Sequence, residues 1–188
     1  AGSLVSYRGL EDVINAMARV KVTWNEHFNY KLLIAGASPK NALQYEETIR
    51  RLVRKNSLIP NIVWLGQLSS AEMSWCFKNC AAFIMTSRLE ACPNVVLEAL
   101  GHGCVNLSIS NPPMPEFFGD AAFYYREGCS QELSDLMLKV MGLSSLEKQL
   151  LQEKSRNMAK RFSWDDTAQK TIKCLQNAIE SSKTTSDQ

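Results

Sequence analysis

The sequence predicts an α/β fold: a parallel sheet with helices on both of its faces. Three observations predict it. Strand-like runs alternate with helix-like runs from residue 10 to residue 125, the pattern of repeated βαβ units. The strand-like runs are almost wholly apolar, as strands buried on both faces must be. The first two of them end on a glycine, Gly36 and Gly66.

The elements follow in order. Leu10, Val13, Ile14, Met17 and Val20 recur at helical spacing and predict a helix over 10–20. Residues 30–36 read as a buried strand. A second helix spans 42–56, with Ile49, Leu52 and Val53 on its inner face, and a second strand spans 62–66. Ser69 or Ser70 caps a third helix that carries Glu72 in its first turn and runs to about Asn79. Residues 81–87 form the third strand. The next helix covers 93–102. It opens on Pro93, whose missing N–H costs nothing at a first helical position, and stops at Gly103. A fourth strand covers 105–109. Asn111-Pro112-Pro113-Met114-Pro115 reads as irregular, since proline interrupts both helix and sheet bonding. A short fifth strand covers 121–125, and helix resumes from about 131 to 182, with Ser163-Trp164-Asp165-Asp166 opening the last helix. The expected organisation is one domain, Rossmann-like, over 4–162, its C-terminal helix over 163–182 and a polar tail over 183–188. Ala1-Gly2-Ser3 reads as a cloning scar, which suggests a fragment of a longer protein.

Composition narrows the function. The chain has 188 residues, 45% of them apolar and 21% charged, with a net charge of +2. That length suits one domain with its own core. The charge is too small for a nucleic-acid surface, and no Lys/Arg run supplies one. Arg50, Arg51, Arg54 and Lys55 have the spacing of one solvated helix face. No apolar run approaches the ~20 residues that span a bilayer, so any membrane association falls to polypeptide outside this chain. The six cysteines make no CxxC pair and no zinc pattern. With two histidines beside them, they read as small apolar groups in a reducing, cytoplasmic compartment. No metal site and no cofactor is expected.

The residues that carry chemistry lie in Glu90-Ala91-Cys92-Pro93-Asn94-Val95-Val96-Leu97-Glu98. Ligands of an open parallel sheet bind outside the carboxyl ends of its strands, and this loop follows the third strand directly. A helix N-terminus offers free N–H groups to an anion, here those around Asn94, Val95 and Val96. A carboxylate accepts two neighbouring hydroxyls as charge-assisted hydrogen bonds. Helical side chains lean toward the N-terminus, so the Glu98 carboxylate leans back toward the loop that holds Glu90. Anion site and carboxylates together suit a nucleotide sugar. On spacing alone, however, the plainer reading is favoured: Glu98 as a helix-surface residue and Glu90 as a loop acid near a helix N-terminus.

The stretch Thr86-Ser87-Arg88-Leu89-Glu90, followed by Glu98-Ala99-Leu100-Gly101-His102-Gly103, resembles the EX7E signature of retaining GT-B glycosyltransferases, above all family 4. Further landmarks resemble that family in order: Tyr7-Arg8-Gly9-Leu10, Leu33-Ile34-Ala35-Gly36, Val63-Trp64-Leu65-Gly66-Gln67-Leu68, Pro115-Glu116 with Gly119-Asp120-Ala121-Ala122, and Phe162-Ser163-Trp164. The resemblance covers nearly the whole chain. It implies the C-terminal, donor-binding domain of an enzyme that moves a hexose from a nucleoside-diphosphate sugar to an acceptor hydroxyl with retention. Glu90 would meet the sugar hydroxyls and Glu98 the ribose diol. Arg8 would neutralise the departing diphosphate. Gly66 and Gln67 would line the base pocket, with Asn94, Val95 and Cys92 beside the donor. The family needs no bound metal, because cationic side chains and helix dipoles serve instead.

This chain departs from the family in places. Cys92-Pro93 replaces a phenylalanine-glycine pair, which removes a backbone donor that the Asn94 amide could replace. Cys92, at a helix N-terminus, is either a reactive thiol or a plain packing group, and the second is the expectation. His102 reads as a late-helix residue. The strand ending in Gly-Arg that opens the family's domain has no counterpart before Tyr7, and the acceptor-binding N-terminal domain is absent. The chain is therefore expected to be inactive alone. Two alternatives remain: a GT-B-like sugar-nucleotide epimerase or hydrolase, and a non-catalytic binding or assembly module that keeps the fold.

Overall fold

The computed structural model describes residues 2–24 and 29–186. Ala1 of the expected scar and the last two residues of the expected tail lie outside them. Helices and strands alternate as expected: α1 (Leu10–Trp24), β1 (Leu32–Ala35), α2 (Leu43–Lys55), β2 (Ile62–Gly66), α3 (Ser70–Asn79), β3 (Phe83–Met85), α4 (Asn94–Gly101), β4 (Asn106–Ile109), α5 (Met114–Phe118), β5 (Ala122–Tyr125), α6 (Ser130–Met141), α7 (Ser145–Ala159) and α8 (Trp164–Ser186).

All strand pairs are parallel. β1 pairs with β2, Leu32 opposite Ile62, and β4 lies between β3 and β5. They form two sheets rather than one, of order β1-β2 and β3-β4-β5. On one side α1 packs against α2 and α6; on the other, α4 packs against α5 and α7. The fold is the Rossmann-like arrangement expected, with a parting between β1 and β3.

The centre of the core is β4, whose four residues are all buried. Burying Asn106 there is costly unless its amide is bonded. Its Nδ2 donates to Cys104 O at 2.9 Å, Ala121 O at 3.0 Å and Ser155 Oγ at 2.8 Å, and Ser155 Oγ donates to Cys104 O at 2.6 Å. One polar side chain thus ties β4 to the start of β5 and to α7.

Caps fix several helix starts. Ser69 with Glu72 and Ser144 with Glu147 form capping boxes at α3 and α7. The stretch expected to be irregular around Pro115 instead opens α5, with proline in the first turn. A first-turn N–H has no partner within the helix, so proline is tolerated there. The basic residues of α2 form a solvated face: Arg50 pairs with Glu46 and Arg54 with Glu47, each at 2.7 Å. Arg50 also lies over the Trp64 ring at 4.2 Å.

All six thiols are free. Cys104 is buried, with the Cys80 Sγ 3.9 Å away, and its hydrogen bond with Cys80 together with burial pushes the Cys104 thiol up. α8 continues through Ser186, past the boundary expected for the polar tail, and leaves Trp164, Ile172 and Leu175 exposed. No helix among the described residues is long and apolar enough to cross a membrane.

Candidate functional site

The carboxyl ends of β1, β2 and β3 open onto one cavity of about 590 Å³, at the edge where ligands of such sheets bind. Arg8, Gln67, Glu90, Cys92, Asn94, Val95 and Glu98 all line it. Gly66 does not. It ends β2 at φ 64°, and its carbonyl accepts the Gly36 N–H at 2.6 Å, so it shapes the rim without facing the cavity. The cavity is also lined by Gly2 and Ser3, which read from sequence as a scar, by Met73 of α3, and by the loop Ala37-Ser38-Pro39 after β1. The carboxyl-edge rule marks that loop, but its residue types carry no ligand chemistry of their own.

Arg8 ends a short turn, Ser6–Arg8, just before α1. The turn is fastened to the loop after β3. Thr86 Oγ1 donates to Arg8 O at 2.6 Å, and the Arg88 N–H donates to Tyr7 O at 2.8 Å. Gly9 makes this approach possible: its φ is 61°, and a Cβ there would come within 2.5 Å of Thr86 O. The guanidinium is thereby aimed along the cavity floor, where its Nη1 pairs with Glu90 and donates to Ser87 Oγ at 3.3 Å. The two side chains are 23% and 14% exposed, and the buried Arg8 Nε has no partner among the described residues. The two residues that the sequence places in separate roles are therefore one partly buried ion pair.

Arg88 holds that loop from behind. It reaches Asp12 at 3.4 Å and Glu127 at 3.2 Å, and Asp12 also accepts the Gly128 N–H at 3.1 Å. Asp12 is buried. Burial pushes its carboxyl above the usual range, opposed by the Gly128 N–H and by Arg88. This network joins α1, the loop after β3 and the approach to α6, and so fixes where Glu90 stands.

α4 has no side-chain cap, and Pro93 occupies its N-cap position. The Val96 N–H donates to Pro93 O at 2.9 Å. Of the three amides expected to serve an anion, Val96 is thus already engaged, and the first-turn groups of Asn94 and Val95 remain. The Glu98 carboxylate is exposed and has no side-chain partner among the described residues. The two glutamates therefore differ: Glu90 is neutralised within the protein, and Glu98 is open to a ligand. Cys92 is exposed and lines the cavity, contrary to the expected packing role.

His102 caps α4. Its Nδ1 lies 2.7 Å from Glu98 O, a carbonyl that can only accept, so Nδ1 donates, and Nε2 hydrogen-bonds with Ser74 Oγ at 2.8 Å. Both ring nitrogens are thereby occupied. Among the described residues no group of three or more His, Cys, Asp or Glu is placed to hold a metal ion. What the cavity offers is a cation, two helix N-terminal amides and a free carboxylate, a set that suits an anion bearing vicinal hydroxyls.

Known proteins share this fold. Residues 1–161 match the family model described as glycosyl transferases group 1. No curated protein matches the chain. Among solved structures, it is similar to the C-terminal domain of a glycosyl transferase group 1 family protein (LpcC) from Francisella tularensis. The TM-score is 0.73 at 16% identity, over 86% of this chain and 82% of that one. It is also similar to Anabaena Alr3699/HepE in complex with UDP-glucose, with TM-score 0.81 at 17% identity, over 94% of this chain and 48% of that one. A third is the catalytic domain of cholesterol-α-glucosyltransferase from Helicobacter pylori, with TM-score 0.68 at 18% identity, over 86% and 98%. The chain spans about half the length of the Anabaena protein. With the fold shared and most of its length matched, the chain belongs to the glycosyl transferases group 1 family.

Proposed function

We propose that this chain is the donor-binding domain of a retaining GT-B glycosyltransferase of the family 4 kind, and that it takes a nucleoside-diphosphate hexose. The observation that carries this reading is the free Glu98 carboxylate beside the open amides of Asn94 and Val95, in one cavity with Arg8. In this reading the EX7E pair is Glu90 and Glu98. Glu98 accepts the two ribose hydroxyls. The diphosphate lies against the first turn of α4, where the helix dipole favours negative charge, and draws the Arg8 guanidinium toward it. Glu90, relieved of its partner, then meets the sugar hydroxyls. As the bond to the sugar breaks, charge grows on the diphosphate, and a positioned guanidinium stabilises that charge more than it stabilises the bound donor.

The acceptor belongs to a separate N-terminal domain facing this cavity, so the chain alone binds donor without transferring sugar. The complex of the Anabaena relative with UDP-glucose supports a uridine donor as the first to try. A cytoplasmic setting fits six free thiols.

Titration calorimetry with UDP and with uridine tests the reading. UDP should bind, and uridine at least about tenfold more weakly, because charge-assisted hydrogen bonds to the diphosphate contribute about 1.5–3 kcal/mol each. Equal affinity for the two, or none for UDP and GDP alike, favours the non-catalytic module. The internal Arg8–Glu90 pair is the observation on that side.

A further inference from the structure

A second, smaller core lies between α3, α4 and β3. Phe77, Ala99 and Cys104 are its buried centre, and Met73, Cys80, Phe83 and Val95 pack against it. Two of these, Met73 and Val95, also line the cavity that holds Arg8 and Glu98. Cys80 and Cys104 meet in this core, their Sγ atoms 3.9 Å apart. Both thiols are free; Cys80 is half-buried and Cys104 buried.

Their places in the chain suit a covalent bond. β3 and β4 are neighbouring parallel strands, Phe83 opposite Asn106, and the Phe83 N–H donates to Val105 O at 2.8 Å. Cys80 lies just before β3 and Cys104 just before β4, so the two enter adjacent strands side by side. Paired strands lie about 4.8 Å apart, within the range of about 4.4–6.8 Å that separates the Cα atoms of bridged cysteines. Neither residue sits in a strand or a helix interior. Cys80 is the extended C-cap of α3, at φ −75° and ψ 147°, and Cys104 follows the left-handed Gly103. Closing from 3.9 Å to the ~2 Å of an S–S bond therefore asks mainly for side-chain rotation.

The two thiols are chemically unequal. Each sulfur lies 3.4 Å from Phe77 O, a last-turn carbonyl of α3, which gathers both at the helix end. Their mutual hydrogen bond lowers the Cys80 thiol from its ordinary value, and the same bond together with burial raises Cys104. The thiolate is the nucleophile in thiol oxidation. Cys80, the more accessible and the more acidic of the two, is thus the attacking sulfur, and Cys104 beside it the resolving one.

We infer that Cys80 and Cys104 form an oxidation site for peroxide, at which a disulfide fastens the end of α3 to the chain leaving α4, directly behind the cavity wall. The Cys80 thiolate attacks one oxygen of hydrogen peroxide. The O–O bond breaks, and the departing hydroxide takes up the proton that Cys80 lost and leaves as water. The Cys104 sulfur then attacks the Cys80 sulfur. The S–O bond breaks, and the hydroxide leaves with the Cys104 proton as a second water. Both sulfurs are oxidised and both peroxide oxygens are reduced. Exchange with an external dithiol restores the two thiols. This inference is independent of the donor reading, and its test uses no nucleotide.

The test treats the 188-residue chain with millimolar hydrogen peroxide, blocks the remaining thiols and maps tryptic peptides by mass spectrometry. Cleavage after Lys78, Arg88 and Arg126 puts Cys76, Cys80 and Cys104 on three different peptides, and fragmentation of the third tells Cys104 from Cys92. The expected product joins residues 79–88 to residues 89–126 through Cys80 and Cys104. Free thiols should fall by two and return with dithiothreitol. The amide signals of Met73 and Val95 should move on oxidation and move back on reduction. In Cys104→Ala no cross-link should form, and dimedone should trap a sulfenic acid at Cys80. Should that variant fail to fold, a short peroxide pulse of the unaltered chain with dimedone present should label Cys80 in the same way. No cross-link, a cross-link through Cys76 or Cys92, or one between two chains overturns the inference. Dimedone on Cys104 in place of Cys80 overturns the assigned order of attack. A cross-link that leaves the Met73 and Val95 signals in place overturns the reach of the site to the cavity wall.

Discussion

Glu98→Ala is expected to weaken UDP binding by roughly 10- to 100-fold and to leave thermal stability unchanged. The carboxylate is exposed and bonds to no side chain among the described residues, so the folded state loses nothing with it. A bound ribose, by contrast, loses two charge-assisted hydrogen bonds. At about 1.5–3 kcal/mol each before compensation by water, even one such bond lost outright gives the lower bound. Glu98→Gln keeps one acceptor and should fall between the two. Calorimetry with UDP reads the affinity and a thermal melt reads the stability. Unchanged affinity in Glu98→Ala would show that the open carboxylate is not a nucleotide contact.

Arg8→Ala should have the larger effect, at least about 100-fold on UDP and little on uridine. It removes the cation nearest the expected diphosphate, and it also leaves Glu90 as a partly buried, uncompensated carboxylate facing the same cavity. Breaking such a pair on one side costs more than the pair itself contributes, about 3–5 kcal/mol when fully buried and less at this exposure. Like-charge repulsion then acts on the incoming phosphates. The double variant Arg8→Ala with Glu90→Gln should therefore bind UDP more tightly than Arg8→Ala alone. If the double variant binds no better than Arg8→Ala, the two side chains do not share one electrostatic site. Arg8→Lys should recover only part of the affinity, since an ammonium cannot make a two-pronged contact with phosphate.

Much of this was legible in the sequence, and the rest was hidden for physical reasons. The alternation of strand and helix gave parallel pairing. The glycine after β1 and the one that ends β2 marked the cavity edge, and the serine-glutamate pair at Ser69 marked the start of α3. Proline rules misled at α5, because the same residue that breaks a helix interior is at home in a first turn. The parting of the sheets was not visible, since local apolar patterning is the same for a strand with two neighbours and for one with a single neighbour.

At the site, chain order brought Arg8 and Glu90 to the same edge but not into contact. That contact depends on the left-handed Gly9 and on two long-range bonds, from Thr86 to Arg8 and from Arg88 to Tyr7, which no spacing rule encodes. The engagement of the Val96 amide by Pro93 is likewise a matter of cap geometry. Asp12 and Arg88, which hold the loop, give no local signal, because they pair across 76 positions of sequence.

The most direct test of the central claim is an amide chemical-shift titration of the chain with UDP. The account predicts the largest changes at Asn94 and Val95, where the helix amides are open, with smaller changes at Gly36 and Gln67 around the same cavity. Changes confined to other surfaces, or none at saturating UDP, would contradict it.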